Sequence, residues 1–340
     1  MTPAAKQPLA VGGLFELTIG VADIGAALAF WSRFGYSAGL GASLSAEFAL
    51  ERYGVASSAQ VLRLAHGDSD HGLIRLVQWE RPRSNGVGVL SLRALGSRWG
   101  AALTTDVTTV LSHCELAAES GAPLNVLPSV RQDPRGPATS PFLEPHVFVR
   151  EMVAIRPESR QVLFQRFGYT NPSYGAVVEA AFPTSQVTHV GLVTQGDTEQ
   201  VFFYERALGL LCTRTESVSL HTEKASQQIF DLADGERYRC WDFDDPRSSP
   251  DPAKWLSGRL KFIHFDAGVP LDDVRELSHF GHLGHSAYSW RVRDLGAAVD
   301  SVVAHGGVVV GSPGQNEFGE PTVRFVAPDG YDWLLIESSL

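Results

Sequence analysis

Phe325-Val-Ala-Pro-Asp-Gly-Tyr-Asp-Trp-Leu-Leu-Ile-Glu337 reads as a strand, a Pro-Asp-Gly turn and a second strand. Pro and Gly supply the turn geometry, and Trp333 to Ile336 is an apolar run with high strand propensity. Glu337 ends that run. A carboxylate directly after a buried strand is costly unless something positive faces it, and a metal ion is one such partner. Two histidines, His189 and His285, open apolar stretches upstream and offer further ligands.

Outward from this stretch the chain repeats itself. Residues 14–36 read strand, Asp23, helix, then Phe34-Gly-Tyr36; residues 187–211 repeat the order around Asp197, and residues 285–310 around Asp294. A weaker copy starts near Ala101, with Asp106 in the same place. Each Asp stands where a helix N-cap is expected, its carboxylate able to accept from free N–H groups of the first turn. Ala26, Ala27, Phe30 and Trp31 show the helical apolar spacing that follows. Three further strands complete each copy, the last ones being Gly72–Gln78, Arg160–Gln165, Gly258–His264 and the strand ending at Glu337.

The repeat predicts an α+β fold of four βαβββ modules paired into two cup-shaped domains, since one module exposes an apolar sheet face that pairing buries. The stretch 167–186, rich in Gly, Pro, Ser and Tyr, reads as a linker. It would separate an N-terminal pair of modules in 1–166 from a C-terminal pair in 187–340.

Composition narrows the function classes. A net charge of −10 with no Lys/Arg cluster argues against nucleic acid or an anionic membrane surface as partner. Hydrophobic residues at 44% and charged ones at 19% describe a folded chain with sizeable cores. Cys114, Cys212 and Cys240 have no metal-like spacing, and their odd, sparse count fits a reducing compartment. With no apolar signal core at the N-terminus and no long apolar span, the expectation is a cytoplasmic protein with a small-molecule partner. The sequence leaves a homo-oligomer open.

Thr188-His189-Val-Gly-Leu-Val, Phe203-Tyr-Glu-Arg-Ala-Leu-Gly209 and Pro328-Asp-Gly-Tyr-Asp-Trp-Leu-Leu-Ile-Glu337 resemble motifs of the vicinal oxygen chelate superfamily. That superfamily includes glyoxalase I, bleomycin- and fosfomycin-resistance proteins and type I extradiol dioxygenases. The resemblance covers nearly the whole chain, and its layout looks most like the two-domain extradiol dioxygenases. It implies a metal inside a cup, held by His189, His285 and Glu337. Two histidines and a carboxylate suit non-haem Fe(II) with open positions, with Mn, Zn or Ni as alternatives. His282 and His279 are possible substitutes for His285, because His285 lies nine residues before Asp294 where His189 lies eight before Asp197. A one-residue slip would turn the side chain to the other face.

His264, read as the symmetry mate of Glu337, is the candidate general acid or base, or a fourth ligand. Strand alternation nominates Leu260, Phe262, Trp333 and Leu335 as an apolar cup wall, which favours an aromatic, oxygen-bearing substrate. The N-terminal pair offers Glu16, Gln78 and Gln165 at corresponding places, a weak donor set that predicts a metal-free duplicate. The Tyr and His that catechol-cleaving relatives place near the metal are missing, since Phe325 and Val326 and the Gly314–Glu320 stretch stand there. The expected activity is therefore an Fe(II)-dependent, dioxygenase-like oxidoreductase. A glyoxalase-type isomerase, lyase or transferase and a metal-free, resistance-type binding protein are the alternatives.

Overall fold

The computed structural model describes residues 8–133, 147–219, 225–249, 251 and 254–338. The four modules form as the repeat predicts. Module 1 comprises β1 (Glu16–Gly20), α1 (Ile24–Ser32), β2 (Tyr36–Leu44), α2 (Ala46–Tyr53), β3 (Ala59–His66) and β4 (Leu73–Trp79). Module 2 comprises β5 (Arg98–Thr104), α3 (Val107–Glu119), β6 (Asn125–Gln132), β7 (Phe148–Ile155) and β8 (Arg160–Phe167). Module 3 comprises β9 (Thr184–Gln195), α4 (Phe203–Leu208), β10 (Leu211–Val218), α5 (Ala225–Phe230), β11 (Tyr238–Asp244) and β12 (Arg259–Phe265). Module 4 comprises β13 (Gly284–Val292), α6 (Leu295–Ala304), β14 (Val308–Gln315), β15 (Pro321–Val326) and β16 (Asp332–Glu337). The inserted helices α2 and α5, each between the second and third strands of its module, interrupt the simple βαβββ order.

The Asp caps hold in three modules: Asp23 accepts from Ala26 N, Asp106 from Thr109 N and Asp294 from Ala297 N, at 2.9–3.0 Å. In module 3 Asp197 caps a short 3-10 turn through Glu199 N instead.

The modules pair differently from the expected sequential halves. One eight-stranded sheet runs β14-β15-β16-β13-β1-β4-β3-β2, and the other β10-β11-β12-β9-β5-β8-β7-β6. Module 1 thus pairs with module 4, and module 2 with module 3, so 1–166 and 187–340 are not self-contained cups. At each seam two first strands run antiparallel, β1 beside β13 and β5 beside β9. The first strands of all four modules are alike enough that the repeat alone does not select partners.

Both sheets turn the faces that carry α1, α3, α4 and α6 toward each other. Leu17, Val190, Leu192, Tyr288, Trp290, Trp333 and Leu335 share one core there with α4 and α6. Ile19, Trp31, Phe34, Leu76, Met152 and Leu163 share another beside α1 and α3. Backbones approach closely between modules 1 and 3: Leu14 N donates to Gly258 O at 2.8 Å, and a Cβ on Gly13 would lie 2.6 Å from Gly258 Cα. Only glycines allow that approach. The outer faces of the sheets form the two cups.

Candidate functional site

The family's chemistry, as the resemblance implies it, belongs at the four central strands of each cup. Helix α2 and the β14–β15 connection fill the cup of modules 1 and 4. Glu16 is fully buried at its centre and accepts from Arg63 Nε at 2.7 Å. The Arg63 guanidinium reaches on to both oxygens of Glu320, at 2.9 and 2.7 Å. Arg75, also fully buried, donates to the Tyr53 hydroxyl at 2.8 Å and to Glu317. Desolvation opposes the charge on both arginines, but the facing carboxylates win and hold both pKa values above the ordinary range. The Glu16 Oε1 atom has no partner, and neither do Nε and Nη1 of Arg75.

The cup of modules 2 and 3 is covered by Ile229 and Phe230 of α5 and keeps a cavity of about 60 Å³, room for about two waters. His189 of β9 and Lys261 of β12 line it, with Glu151, Arg214 and Tyr238 at its sides. Thr188 Oγ1 donates to Ala101 O at 3.1 Å and lies 3.2 Å from Nδ1 of His189. One hydroxyl has one proton, so Nδ1 donates to Thr188 and Nε2 keeps its lone pair. Burial first, then Lys261 and Arg259, push the His189 pKa down to about 3, so the ring is neutral near pH 7. Asp242 accepts from Arg259 Nη1 at 2.9 Å, and Asp244 from Arg259 Nε at 2.5 Å. Lys261 makes no hydrogen bond or ion pair among the described residues. Burial opposes its charge, but Cys240, Asp242 and Glu151 hold its pKa above the ordinary lysine value.

The three expected metal ligands do not converge. His189 alone faces a cup. His285 sits on β13 beside a β-bulge: Thr18 pairs with Ala287 and Ile19 with His285, leaving Ser286 extra. The extra residue turns His285 toward the other sheet, where it is buried and its Nε2 accepts from Arg160 N at 3.2 Å. Burial and the nearby Arg160 and Arg98 push its pKa down to about 3. Glu337 is exposed and accepts from Leu295 N at 2.9 Å, at the start of α6. Gln78 does the same for Ile24 N at 2.8 Å, and Gln165 for Val107 N at 3.1 Å. The strand-end carboxylate and amides are therefore helix-start acceptors.

His264 lies on the face of β12 opposite Lys261, so it does not face His189. It is buried, with Nδ1 3.1 Å from Thr194 Oγ1 and its ring edge-on to Trp241, and burial lowers its pKa. The substitutes are engaged as well: His279 with Asp332 at 2.8 Å and His282 with Ser84 at 2.7 Å. His146 and His221 lie outside the described residues. Leu260, Phe262, Trp333 and Leu335 belong to the core between the sheets, not to a cup wall. The alternation was read with the right period and the wrong face. Lys261, Ile263, Leu334 and Ile336 are the cup-facing set.

Among the described residues no group of three or more His, Cys, Asp or Glu is placed to hold a metal ion. On the four central strands among the described residues, one cup has Glu16 and Asp332 and the other His189; Glu16 and Asp332 are tied to Arg63 and Arg324, and His189 stands beside Lys261 and Arg259. That donor set does not fit the metal the resemblance implied. The residues that sequence reasoning missed, Arg75, Lys261 and Arg259, carry one signal: a cation inside an otherwise apolar strand, as in Leu73-Ile-Arg-Leu-Val77. Buried charges of that kind need partners or a ligand.

Among known proteins, the sequence model described as the Glyoxalase/Bleomycin resistance protein/Dioxygenase superfamily matches residues 186–335. Glyoxalase I from Zea mays is similar in structure with a TM-score of 0.55 and 14% identity, over 96% of this chain and 92% of that one. A putative dioxygenase from Bacillus subtilis is similar with a TM-score of 0.52 and 12% identity, over 99% of this chain and 87% of that one. At such identities the likeness is one of fold. No curated protein matches the sequence. Residues 186–335 thus match the Glyoxalase/Bleomycin resistance protein/Dioxygenase superfamily in sequence, and the chain as a whole shares the fold of glyoxalase I.

Proposed function

We propose that this chain is a metal-independent, small-molecule-binding member of its superfamily, of the resistance-protein kind. Its site is the cup of modules 2 and 3. One observation carries the reading: Lys261 and His189, on neighbouring central strands, line one small cavity with an ammonium and a ring nitrogen that have no hydrogen-bond partner among the described residues. The ammonium supplies a fixed positive charge of the sort a metal would otherwise offer to oxygen atoms. The neutral His189 Nε2 accepts a hydrogen bond from a hydroxyl beside them. Together they favour a small oxygen-bearing anion, such as a hydroxy acid, whose entry requires the Phe230 side of the cup to give way.

The Fe(II) dioxygenase reading loses its support because its ligands belong to different sheets and faces. A panel of small hydroxy acids, followed by amide chemical shifts, tests the proposal. Binding should perturb the Val187–Val193 amides in the wild type and weaken by about tenfold or more in Lys261→Met, the loss expected for a charge-assisted hydrogen bond. Perturbations elsewhere, or unchanged affinity in the variant, would contradict it.

A further inference from the structure

The two ends of the inter-sheet layer are built unequally. At one end α4 and α6 pack together around Phe203, Ala298 and Val302. At the other, α1 and α3 stand apart over a groove of about 750 Å³. Helix α3 has thirteen residues and buries only Val107 and Val110, while α1 buries only Ala27 and Trp31. Leu116 is left 60% exposed at the groove's edge. This volume lies within the range of small-molecule sites, whose walls are apolar with a few placed polar groups.

Two arginines supply those groups. The Arg156 guanidinium lies 3.7 Å over the Phe30 ring, and that of Arg33 lies 4.6 Å over Phe182. Neither side chain makes a hydrogen bond or an ion pair among the described residues. The acids beside them are occupied: Glu158 accepts from Ala22 N at 2.7 Å, and Asp23 from Ala26 N at 2.9 Å. Burial outweighs Glu158 and pulls the Arg156 pKa below its ordinary value, so its charge is poorly compensated. In a chain of net charge −10, a half-buried groove with two free guanidiniums selects for an anion.

We propose that the groove between α1 and α3 binds an amphipathic carboxylic acid, its carboxylate on Arg156 and its apolar body along Phe30, Phe34, Leu124 and Phe182. The site is separate from the cups and does not rest on the function proposed for them. Calorimetric titration of the whole chain with octanoate and with octanol tests it. Octanoate should bind about tenfold or more tightly than octanol, the preference expected of a charge-assisted contact. Arg156→Gln should bring the two affinities together, and Ala117→Phe, which fills the groove, should weaken both. The proposal is overturned if octanoate binds no better than octanol, if neither binds, or if the preference survives in Arg156→Gln. It is also overturned if the preference disappears in Lys261→Met, which would move the acid to the cup. A dimer lost in Ala117→Phe, with no uptake of either probe, would make a second copy of the chain the occupant instead.

Discussion

At Glu337, Gln78 and Gln165 three modules solve one problem, the unpaired N–H groups at a helix start, with a side chain from the neighbouring strand end. Since two modules manage with an amide, Glu337→Gln should leave stability within about 0.5 kcal/mol of wild type. Glu337→Ala should cost about 1 kcal/mol, as loss of a cap does. Urea unfolding of both variants separates this role from metal ligation. The histidines permit a second prediction. His285 titrates near 6.5 in the unfolded chain and at about 3 in the fold. Between those values the unfolded chain takes up a proton that the folded one refuses, so stability falls as pH falls through that window. His285→Gln, which keeps an acceptor for Arg160 N, should lose less stability than wild type between pH 6.5 and about 4. Parallel stability curves would show that His285 is protonated in the fold.

Among the elements, first and last strands, N-caps and the Pro-Asp-Gly turn were legible because each rests on local chemistry: alternation, a capping Asp, a turn residue. What escaped was face and insertion. The bulge at Ser286 adds one residue to β13 and reverses His285, and only the pairing partner Thr18 reveals it. Helices α2 and α5 escaped because the repeat places no helix between the second and third strands of a module. Their effect on the cups is large, since Tyr53 at the end of α2 shares the buried network of Arg75 and Glu317. That network ties β4 to the β14–β15 connection. Arg75→Met should therefore destabilise the fold by about 3–5 kcal/mol, because it strands a buried carboxylate. Adding Glu317→Leu should restore most of that loss. A double-mutant cycle by thermal or urea unfolding checks both statements, and additive losses would show that the pair is not coupled.

The whole molecule turns on the pairing of modules, 1 with 4 and 2 with 3. Sequential pairing would have gathered His189, His285 and Glu337 around one cup. The observed pairing puts His189 in one sheet and His285 and Glu337 in the other. It also explains why two histidines and a carboxylate, a persuasive triplet in the sequence, serve as a cavity wall, a core acceptor and a helix-start acceptor. Pairing was not legible because it depends on contacts far apart in the chain, such as Glu16 against Ser289 and Gly191 against the Trp99 ring. The same arrangement leaves cations beside the donors of both cups: Arg63 at Glu16, Arg324 at Asp332, and Lys261 and Arg259 near His189. Among the described residues no helix is long and apolar enough to cross a membrane. The most direct test is metal stoichiometry after anaerobic loading with Fe(II), Mn, Zn or Ni and dialysis, measured on the wild type and on His189→Ala, His285→Gln and Glu337→Ala. The account predicts no stoichiometric metal in any of the four proteins. One equivalent per chain in the wild type, lost in all three variants, would contradict it.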